Sequence, residues 1–206
     1  MNWRLKDKNR VIEIGEKFII APEDIKTNRI KITLAEGKSF GTGVHETTVS
    51  CMEVMETLNL EGKTVLDVGT GSGILSIAAM KLKAKKAVGF DIEKFAIDEC
   101  KKNARLNGVD VDCFVADSPA TIVDEFDLVV ANIFDDIILS MRDELIKKVK
   151  DGGLLLLSGV LVEENFKVKK AFMDNGFEVV KNIFLEEYTT ILLKKGKMEA
   201  ECSQRS

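Results

Sequence analysis

The sequence predicts an α/β fold with a mostly parallel sheet of seven strands, a C-terminal antiparallel hairpin and helices on both faces. From Lys63 onward, short apolar runs rich in Val and Leu alternate with amphipathic stretches, which is typical of a parallel sheet covered on both faces. A glycine-rich loop follows the first of these runs, and the last two runs have no helix between them. With 206 residues, of which 45% are hydrophobic, the chain can bury one sizeable core.

The first 39 residues predict a short β extension on the main domain. The stretches VIEIGEKFIIAPED and RIKITL alternate enough for short strands, but they are too short for a core of their own. The main domain is expected over residues 40–195. Residues 196–206 are polar and lack periodicity, so we expect a disordered tail there.

Five strands and four helices are predicted to alternate in the main domain. The strands are the apolar runs Thr64–Val68, Ala87–Asp91, Val111–Val115, Leu128–Asn132 and Leu154–Ser158. The helices are the amphipathic stretches Gly73–Leu82, Lys94–Leu106, Asp136–Val149 and Glu163–Asp174. The final stretch, FEVVKNIFLEEYTTILLKK, predicts two antiparallel strands joined at Glu186-Glu187.

The loop DVGTGSG, residues 67–73, joins the first predicted strand to the first helix. Because glycine lets a ligand approach the main chain, this loop is a candidate ligand site. A dinucleotide fingerprint needs G-x-G-x-x-G, but Ile74 stands where its third glycine would be. The spacing D-x-G-x-G-x-G suits S-adenosylmethionine instead, with Asp67, Gly69 and Gly71 as cofactor-binding residues. The alternative is that the glycines serve only a tight turn.

Two further carboxylates follow the next two predicted strands. Asp91 ends the second strand, where a carboxylate can accept hydrogen bonds from both ribose hydroxyls of a nucleoside. An acid at this point serves NAD as well as S-adenosylmethionine, and it can also cap the helix that begins near Glu93. Asp117 follows the third strand and is a candidate acceptor for an adenine amino group, or else a turn former before Ser118-Pro119.

The fourth predicted strand ends in LVVANIFDD, with Asn132 at the edge where open α/β sheets bind ligands. We expect Asn132 to be the catalytic residue, because its carbonyl oxygen can hold an incoming amine against the methyl group of the cofactor. The alternative is a strand-end asparagine that bonds its own loop. His45, the chain's one histidine, is a candidate proton acceptor, but a structural hydrogen-bonding role is favoured.

Composition excludes several classes of function. A net charge of -4 argues against a dedicated binder of naked nucleic acid. No stretch predicts a membrane span or a signal peptide, so we expect a cytoplasmic protein. The cysteines are scattered without the close spacing of a zinc site, so we expect no metal and only reduced thiols at Cys51, Cys100, Cys113 and Cys202.

A parallel sheet that closes with an antiparallel hairpin is the layout of class I methyltransferases, a Rossmann-like fold. The stretches FGTGVHETT (residues 40–48), VLDVGTGSGILSIAAMKLKAKKAVGFDIEKFAI and VVANIF together resemble the PrmA family, the methyltransferases of ribosomal large-subunit protein eleven. The resemblance covers nearly everything from Val11 to Lys195. It implies contacts to S-adenosylmethionine from Thr48, Gly69, Asp91 and Asn132, with Phe40 and Thr42 packed near the cofactor.

This chain differs from the family pattern in three places. Glu46 replaces a proline in the pattern F-G-T-G-x-H-P-T-T, and Ile133-Phe134-Asp135 replaces Ile-Leu-Ala. The family carries an N-terminal domain that grips its ribosomal substrate, and only about forty residues precede the first motif here. We therefore expect the ribosomal protein to be methylated slowly, if at all.

The sequence therefore predicts an S-adenosylmethionine-dependent methyltransferase that acts on an amine, either a lysine or an N-terminus, of an unidentified protein substrate. Two alternatives stay open. One is a small-molecule or RNA methyltransferase on the same core, and the other is a non-catalytic module that binds S-adenosylmethionine. The sequence does not predict the oligomeric state.

Overall fold

The computed structural model describes residues 11–35 and 45–197, which form two sheets and six α-helices. The described strands are β1 (Ile12–Ile14), β2 (Phe18–Ile20), β3 (Ile30–Ile32), β4 (Thr64–Val68), β5 (Lys86–Asp91), β6 (Asp112–Val115), β7 (Phe126–Asn132), β8 (Val149–Leu161), β9 (Phe177–Phe184) and β10 (Tyr188–Lys195). The described α-helices are α1 (Glu46–Met55), α2 (Ile74–Lys81), α3 (Lys94–Leu106), α4 (Asp135–Ser140), α5 (Arg142–Lys148) and α6 (Asn165–Met173).

The larger sheet has seven strands in the order β6-β5-β4-β7-β8-β10-β9. Its first five strands are parallel, and β10 runs antiparallel to both β8 and β9. The predicted class I methyltransferase fold is therefore confirmed, including the C-terminal hairpin. Because the strand order reverses beside β4, the carboxyl ends of β4, β5 and β7 meet where ligands bind in open α/β sheets.

Helices cover both faces of this sheet because its central strands bury alternate residues on opposite sides. Val65 and Val130 pack on one face with residues of α1, α2 and α3. Leu66 and Val129, their neighbours along the strands, pack on the other face with residues of α4, α5 and α6. The sheet is thus buried on both sides, as its runs of Val and Leu predict.

One helix boundary was predicted wrongly. The stretch predicted as a single helix over 136–149 forms α4 and α5, which meet at Met141 with φ −97° and ψ 9°. No Gly or Pro marks this break in the sequence. The short helices place Ile138 and Leu145 in the same buried cluster, so tertiary packing rather than a local breaker sets the break. The fifth predicted strand, Leu154–Ser158, is also longer than expected at both ends, because β8 runs from Val149 to Leu161.

The three short N-terminal strands form a separate sheet in the order β1-β2-β3. Its residues Phe18 and Ile32 are fully buried in the same cluster as Met52 and Met55 of α1. The carboxylate of Glu56 accepts the backbone N–H groups of Glu16 at 3.0 Å and Lys17 at 2.9 Å. The small sheet therefore shares the main core and is fastened to the end of α1.

The expectation of reduced thiols at every cysteine is wrong for two of them. Cys100 on α3 and Cys113 on β6 form a disulfide. The two residues are separated by 13 positions, and only the packing of α3 against β6 brings them together. Cys51 is a free thiol buried in α1, and burial raises its pKa to about 12. Cys202 lies outside the described residues.

Within residues 11–35 and 45–197, no helix combines the length and the apolar character that crossing a membrane requires.

Asp127 fastens the amino end of β7 to that of β4, at the edge of the sheet opposite the cluster of carboxyl ends. Its Oδ2 atom accepts the backbone N–H of Thr64 at 3.0 Å, the Thr64 hydroxyl at 2.9 Å and Lys150 Nζ at 2.9 Å. Desolvation opposes ionisation, but the hydrogen bonds from Thr64 and Lys150 outweigh it and lower the pKa of Asp127.

We predict that Asp127→Asn lowers the free energy of unfolding by about 1 kcal/mol at pH 7, the range for a charge-assisted hydrogen bond at a partly exposed site. A lowered folded pKa adds stability above the unfolded value of about 4, and this stability is lost as the pH falls below it. The difference between wild type and variant should therefore shrink progressively as the pH falls below about 4.

Urea denaturation at several pH values measures this difference, with Asp110→Asn at an exposed loop position as the control. A difference that is equally large at pH 7 and at the lowest pH would contradict the role assigned to the Asp127 charge.

Candidate functional site

A cavity of about 480 Å³ lies at the carboxyl ends of β4, β5 and β7. This volume is within the range of small-molecule sites. The polar lining consists of main-chain glycine atoms and a few side chains, while aromatic and aliphatic side chains form most of the wall. Among the described residues, the lining is His45, Thr47, Val68, Gly69, Gly71, Phe90, Asp91, Ile92, Glu93, Phe95, Ala96, Ala116, Asp117, Asn132, Ile133, Phe134, Ile137, Met141, Gly159 and Tyr188.

The glycine loop, residues 69–73, forms one wall of the cavity. The backbone N–H groups of Gly69 and Thr70 both donate to the carbonyl of Phe90, at 3.0 and 2.9 Å, which ties the loop to β5. Gly69 and Gly71 have φ values of +69° and +53°, a left-handed conformation that favours glycine. Both residues line the cavity, so main chain without side chains faces whatever occupies it.

Asp67 lies behind this loop rather than in the cavity wall, although the sequence predicts it as a cofactor-binding residue. It is 2% exposed, and its Oδ2 accepts hydrogen bonds from the Thr70 hydroxyl at 2.7 Å and from the N–H and hydroxyl of Ser76 at 3.1 and 2.8 Å. Burial raises the pKa of Asp67, against the effect of these hydrogen bonds. Asp67 therefore shapes the loop and occupies the amino end of α2.

Asp91 joins the glycine loop to the start of the next helix. Its Oδ2 accepts the N–H of Gly71 at 2.9 Å, and its Oδ1 accepts the N–H of Glu93 at 3.0 Å. The helix-capping role considered for Asp91 is not observed, because the N-cap of α3 is Glu93 and Asp91 accepts the N–H of that residue in a turn before the helix. Each carboxylate oxygen has a second lone pair, so Asp91 can also accept hydroxyl groups from the cavity that it lines.

Asn132 ends β7 and is held by a residue of α1. Its Nδ2 donates to the hydroxyl of Thr48 at 3.3 Å. Its Oδ1 is buried and has no hydrogen-bond partner among the described residues. An unpartnered acceptor of this kind costs free energy unless something supplies a donor. Thr48 itself is fully buried, so it reaches the cavity through Asn132.

His45 has a structural role at the entrance of α1. It is the N-cap of this helix, with Nδ1 2.8 Å from the Thr47 hydroxyl and 3.4 Å from the Thr47 backbone nitrogen. Its ring also lies beside that of Tyr188, with the centroids 5.6 Å apart. These contacts match the structural role favoured for His45 from the sequence.

Three other residues were predicted to contact the cofactor. Asp117 is exposed and lines the cavity, and the turn beside it is capped by Ser118, whose hydroxyl accepts the N–H of Ala120 at 3.0 Å. Phe40 and Thr42 lie outside the described residues.

Sequence reasoning missed most of the apolar wall. Phe95 lies on α3 and Ile137 on α4, Phe134 and Met141 flank α4, and Tyr188 comes from the start of β10. Phe134 is 62% exposed and Phe95 is 52% exposed, which is unusual for phenylalanine. The position of Phe134 directly after the strand-end stretch could have suggested a cavity residue, but nothing in the sequence connects Tyr188 to this edge.

No group of three or more His, Cys, Asp or Glu residues suited to hold a metal ion occurs in the part of the chain that the structure describes.

Comparison with known proteins gives a consistent result. Residues 2–196 match the family model described as ribosomal protein L11 methyltransferase (PrmA). The chain is 36% identical over 191 residues to the ribosomal protein L11 methyltransferase of Bacillus licheniformis and 38% identical over 187 residues to that of Caldicellulosiruptor bescii, covering 89% of this chain in each case. The chain spans 61% and 62% of the length of these two relatives.

Among solved structures, a crystal structure of ribosomal protein L11 methylase from Lactobacillus delbrueckii subsp. bulgaricus is similar with a TM-score of 0.82. The two chains are 31% identical, and the likeness covers 90% of this chain and 98% of the other.

We predict that Asp91→Ala weakens the binding of S-adenosylmethionine by roughly 1.5–3 kcal/mol, the range for hydrogen bonds to a charged group. The reason is that the variant removes the acceptor facing the cavity and also releases the N–H of Gly71. Calorimetric titration of the folded variant measures the change.

Asp98→Ala is the matched control, because Asp98 is an exposed acid on α3 that does not belong to the described lining of the cavity. Equal affinities of Asp91→Ala and Asp98→Ala would show that the Asp91 carboxylate does not contact the ligand.

Proposed function

The chain belongs to the ribosomal protein L11 methyltransferase (PrmA) family, and we propose that it transfers a methyl group from S-adenosylmethionine to an amine of a protein substrate. The observation that carries this proposal is the unpartnered Oδ1 of Asn132 beside the glycine loop and Asp91. An acceptor without a partner, next to a nucleoside-type site, is what an incoming amine requires.

The residues present fit S-adenosylmethionine better than a dinucleotide. A dinucleotide places its pyrophosphate on the N-terminus of the helix after the glycine loop. Here the Asp67 side chain occupies that end of α2, so the donors of Ser76 are already used. S-adenosylmethionine has no phosphate, and it needs a carboxylate for its ribose and close main-chain approach for its methionine part. Asp91 supplies the first, and Gly69 and Gly71 supply the second.

When it is bound, S-adenosylmethionine supplies an electrophilic methyl group on a sulfonium, and in-line attack by the neutral amine would give a methylated ammonium group and a neutral thioether. The protein does not need a covalent nucleophile for this reaction. Its contribution is orientation, which can lower a barrier by about 7–11 kcal/mol when the reacting groups are well aligned.

Asn132 is proposed to orient the amine. Because Nδ2 is bonded to Thr48, the oxygen of the amide is left free to accept an N–H of the substrate. The interaction adds no charge, so it does not favour the ammonium form. The apolar wall of Phe134, Ile137 and Met141 acts in the same direction, because desolvation favours the neutral amine that can attack.

The substrate is proposed from the family. Relatives of this chain are named for ribosomal protein L11, a protein, and this makes L11 the first acceptor to test. A net charge of -4 gives no general affinity for nucleic acid. We also propose that residues 40–195 form the catalytic domain and that the protein acts in the cytoplasm, where ribosomal proteins are available.

The function is tested by incubating the protein and methyl-labelled S-adenosylmethionine with a cell lysate and, separately, with purified ribosomal protein L11. We expect label in protein, bound to nitrogen and stable to mild base. Label confined to RNA or to small metabolites would overturn the proposed substrate class. Binding of S-adenosylmethionine without any transfer would overturn the proposed catalysis and indicate a binding module.

We predict that Asn132→Ala lowers the rate of methyl transfer about a hundredfold, as expected for a lost positioning contact, with less effect on cofactor affinity. Single-turnover rates with saturating labelled cofactor measure the first quantity, and calorimetry measures the second.

Thr48 provides a matched pair of variants for this prediction. Thr48→Val keeps the shape but removes the acceptor of the Asn132 amide, and Thr48→Ser keeps the hydroxyl. Transfer should fall in Thr48→Val and be largely retained in Thr48→Ser. An Asn132→Ala enzyme with wild-type rates would exclude Asn132 from catalysis.

A further inference from the structure

A buried asparagine on α3 contacts two separate segments near the candidate site. Asn103 is fully buried, and its Nδ2 donates to the carbonyl of Ser72 in the glycine loop at 2.8 Å. Its Oδ1 accepts the backbone N–H of Ala35 at 2.8 Å. The side chain therefore donates a hydrogen bond to the loop and accepts one from the segment that follows the small sheet.

The contact with Ser72 lies at the part of the glycine loop that faces α3. The other end of the loop is held by the Phe90 carbonyl, and its middle is held by Asp91. At Gly73, a Cβ atom would lie 2.7 Å from the Sγ of Cys100 and 3.1 Å from its Cα, so α3 and the loop are in direct contact. Asn103, one helical turn after Cys100, supplies a hydrogen bond to this packed junction.

The neighbouring asparagine shows what the Ser72 contact adds. Asn107 also clamps the N-terminal segment, because its Oδ1 accepts the Thr33 N–H at 2.9 Å and its Nδ2 donates to the Thr33 carbonyl at 2.7 Å. It is 8% exposed, and its Nδ2 also lies 2.8 Å from the carbonyl of Asn103. Asn103 and Asn107 therefore hold the same segment, but the structure gives the glycine-loop contact to Asn103.

We propose that Asn103 is a positioning residue for the cofactor site: it fixes the glycine loop against α3 and thereby sets where the Gly71 main chain lies relative to Asp91. This inference rests on the proposed function, because the cofactor is the ligand that the loop receives. Gly71 is one residue from Ser72, and its N–H donates to Asp91. A shift of the Ser72 carbonyl therefore moves the Gly71 main chain, which would face the methionine part of the cofactor, relative to Asp91, which would contact the ribose.

The Asn103 amide meets two requirements at once. Ala35 needs an acceptor and the Ser72 carbonyl needs a donor, and an asparagine side chain carries one of each. Alanine at position 103 leaves both main-chain groups without these partners in a buried place, which opens the loop toward α3. Binding of the ligand would then have to reorder the loop, and this would weaken the affinity.

The test compares Asn103→Ala with Asn107→Ala by calorimetry with S-adenosylmethionine and by thermal unfolding. Both variants lose hydrogen bonds to the N-terminal segment, so similar losses of thermal stability are expected. Cofactor affinity should fall about tenfold in Asn103→Ala and less than threefold in Asn107→Ala, because only the first variant loses the hydrogen bond to the Ser72 carbonyl in the glycine loop. Affinities of the two variants within threefold of each other would overturn the proposal.

Amide hydrogen exchange without ligand gives a second readout. The N–H groups of Gly71 and Gly73 should exchange faster in Asn103→Ala than in Asn107→Ala, and equal rates would contradict the positioning role. If the wild-type protein does not bind S-adenosylmethionine, the proposed function fails, while the exchange rates still decide whether Asn103 fixes the loop. If Asn103→Ala does not fold, Asn103→Ser takes its place with the same two measurements.

Discussion

The packing of the glycine loop between β5 and α3 is the constraint on which the rest of the site depends. The loop must leave β4, cross the Phe90 carbonyl and turn into α2 while its main chain stays open toward the cavity. All three of its glycines meet this demand with left-handed backbone, and Gly73 also allows Cys100 of α3 to approach. The cofactor contacts proposed for Gly69, Gly71 and Asp91 all depend on the position of this loop.

Charge at the site is arranged so that each carboxylate has a separate function. Asp67 is buried and satisfied by Thr70 and Ser76, and it closes the amino end of α2 against phosphate. Asp91 is only partly buried, so it can bond the loop and still face the cavity. The amine that receives the methyl group is oriented instead by the neutral amide of Asn132. This division of roles suits transfer of a methyl group to an uncharged amine, where a further anion near the nucleophile would favour its protonated form.

The sequence predicts the strand–loop–helix core well because local pattern and tertiary demand agree there. The bounds of β4 and α3 match the prediction, and the strand-end positions of Asp91 and Asn132 follow from the parallel sheet. The break at Met141 and the Cys100–Cys113 disulfide were not predicted, because both arise from packing between distant segments. The same holds for Tyr188, which the antiparallel hairpin brings to the cavity. Asp67 was predicted to bind the cofactor from the motif alone. The motif does not reveal that Thr70 and Ser76 both donate hydrogen bonds to its Oδ2.

The central claim is that the cavity beside the glycine loop and Asp91 is a site for S-adenosylmethionine. A crystal structure of the protein with S-adenosylhomocysteine tests it most directly. The account predicts ribose hydroxyls at hydrogen-bonding distance, about 2.5–3.0 Å, from the Asp91 carboxylate, with the main chain of Gly69 and Gly71 against the ligand. A ligand bound elsewhere on the chain, or one in the cavity with its ribose away from Asp91, would contradict it.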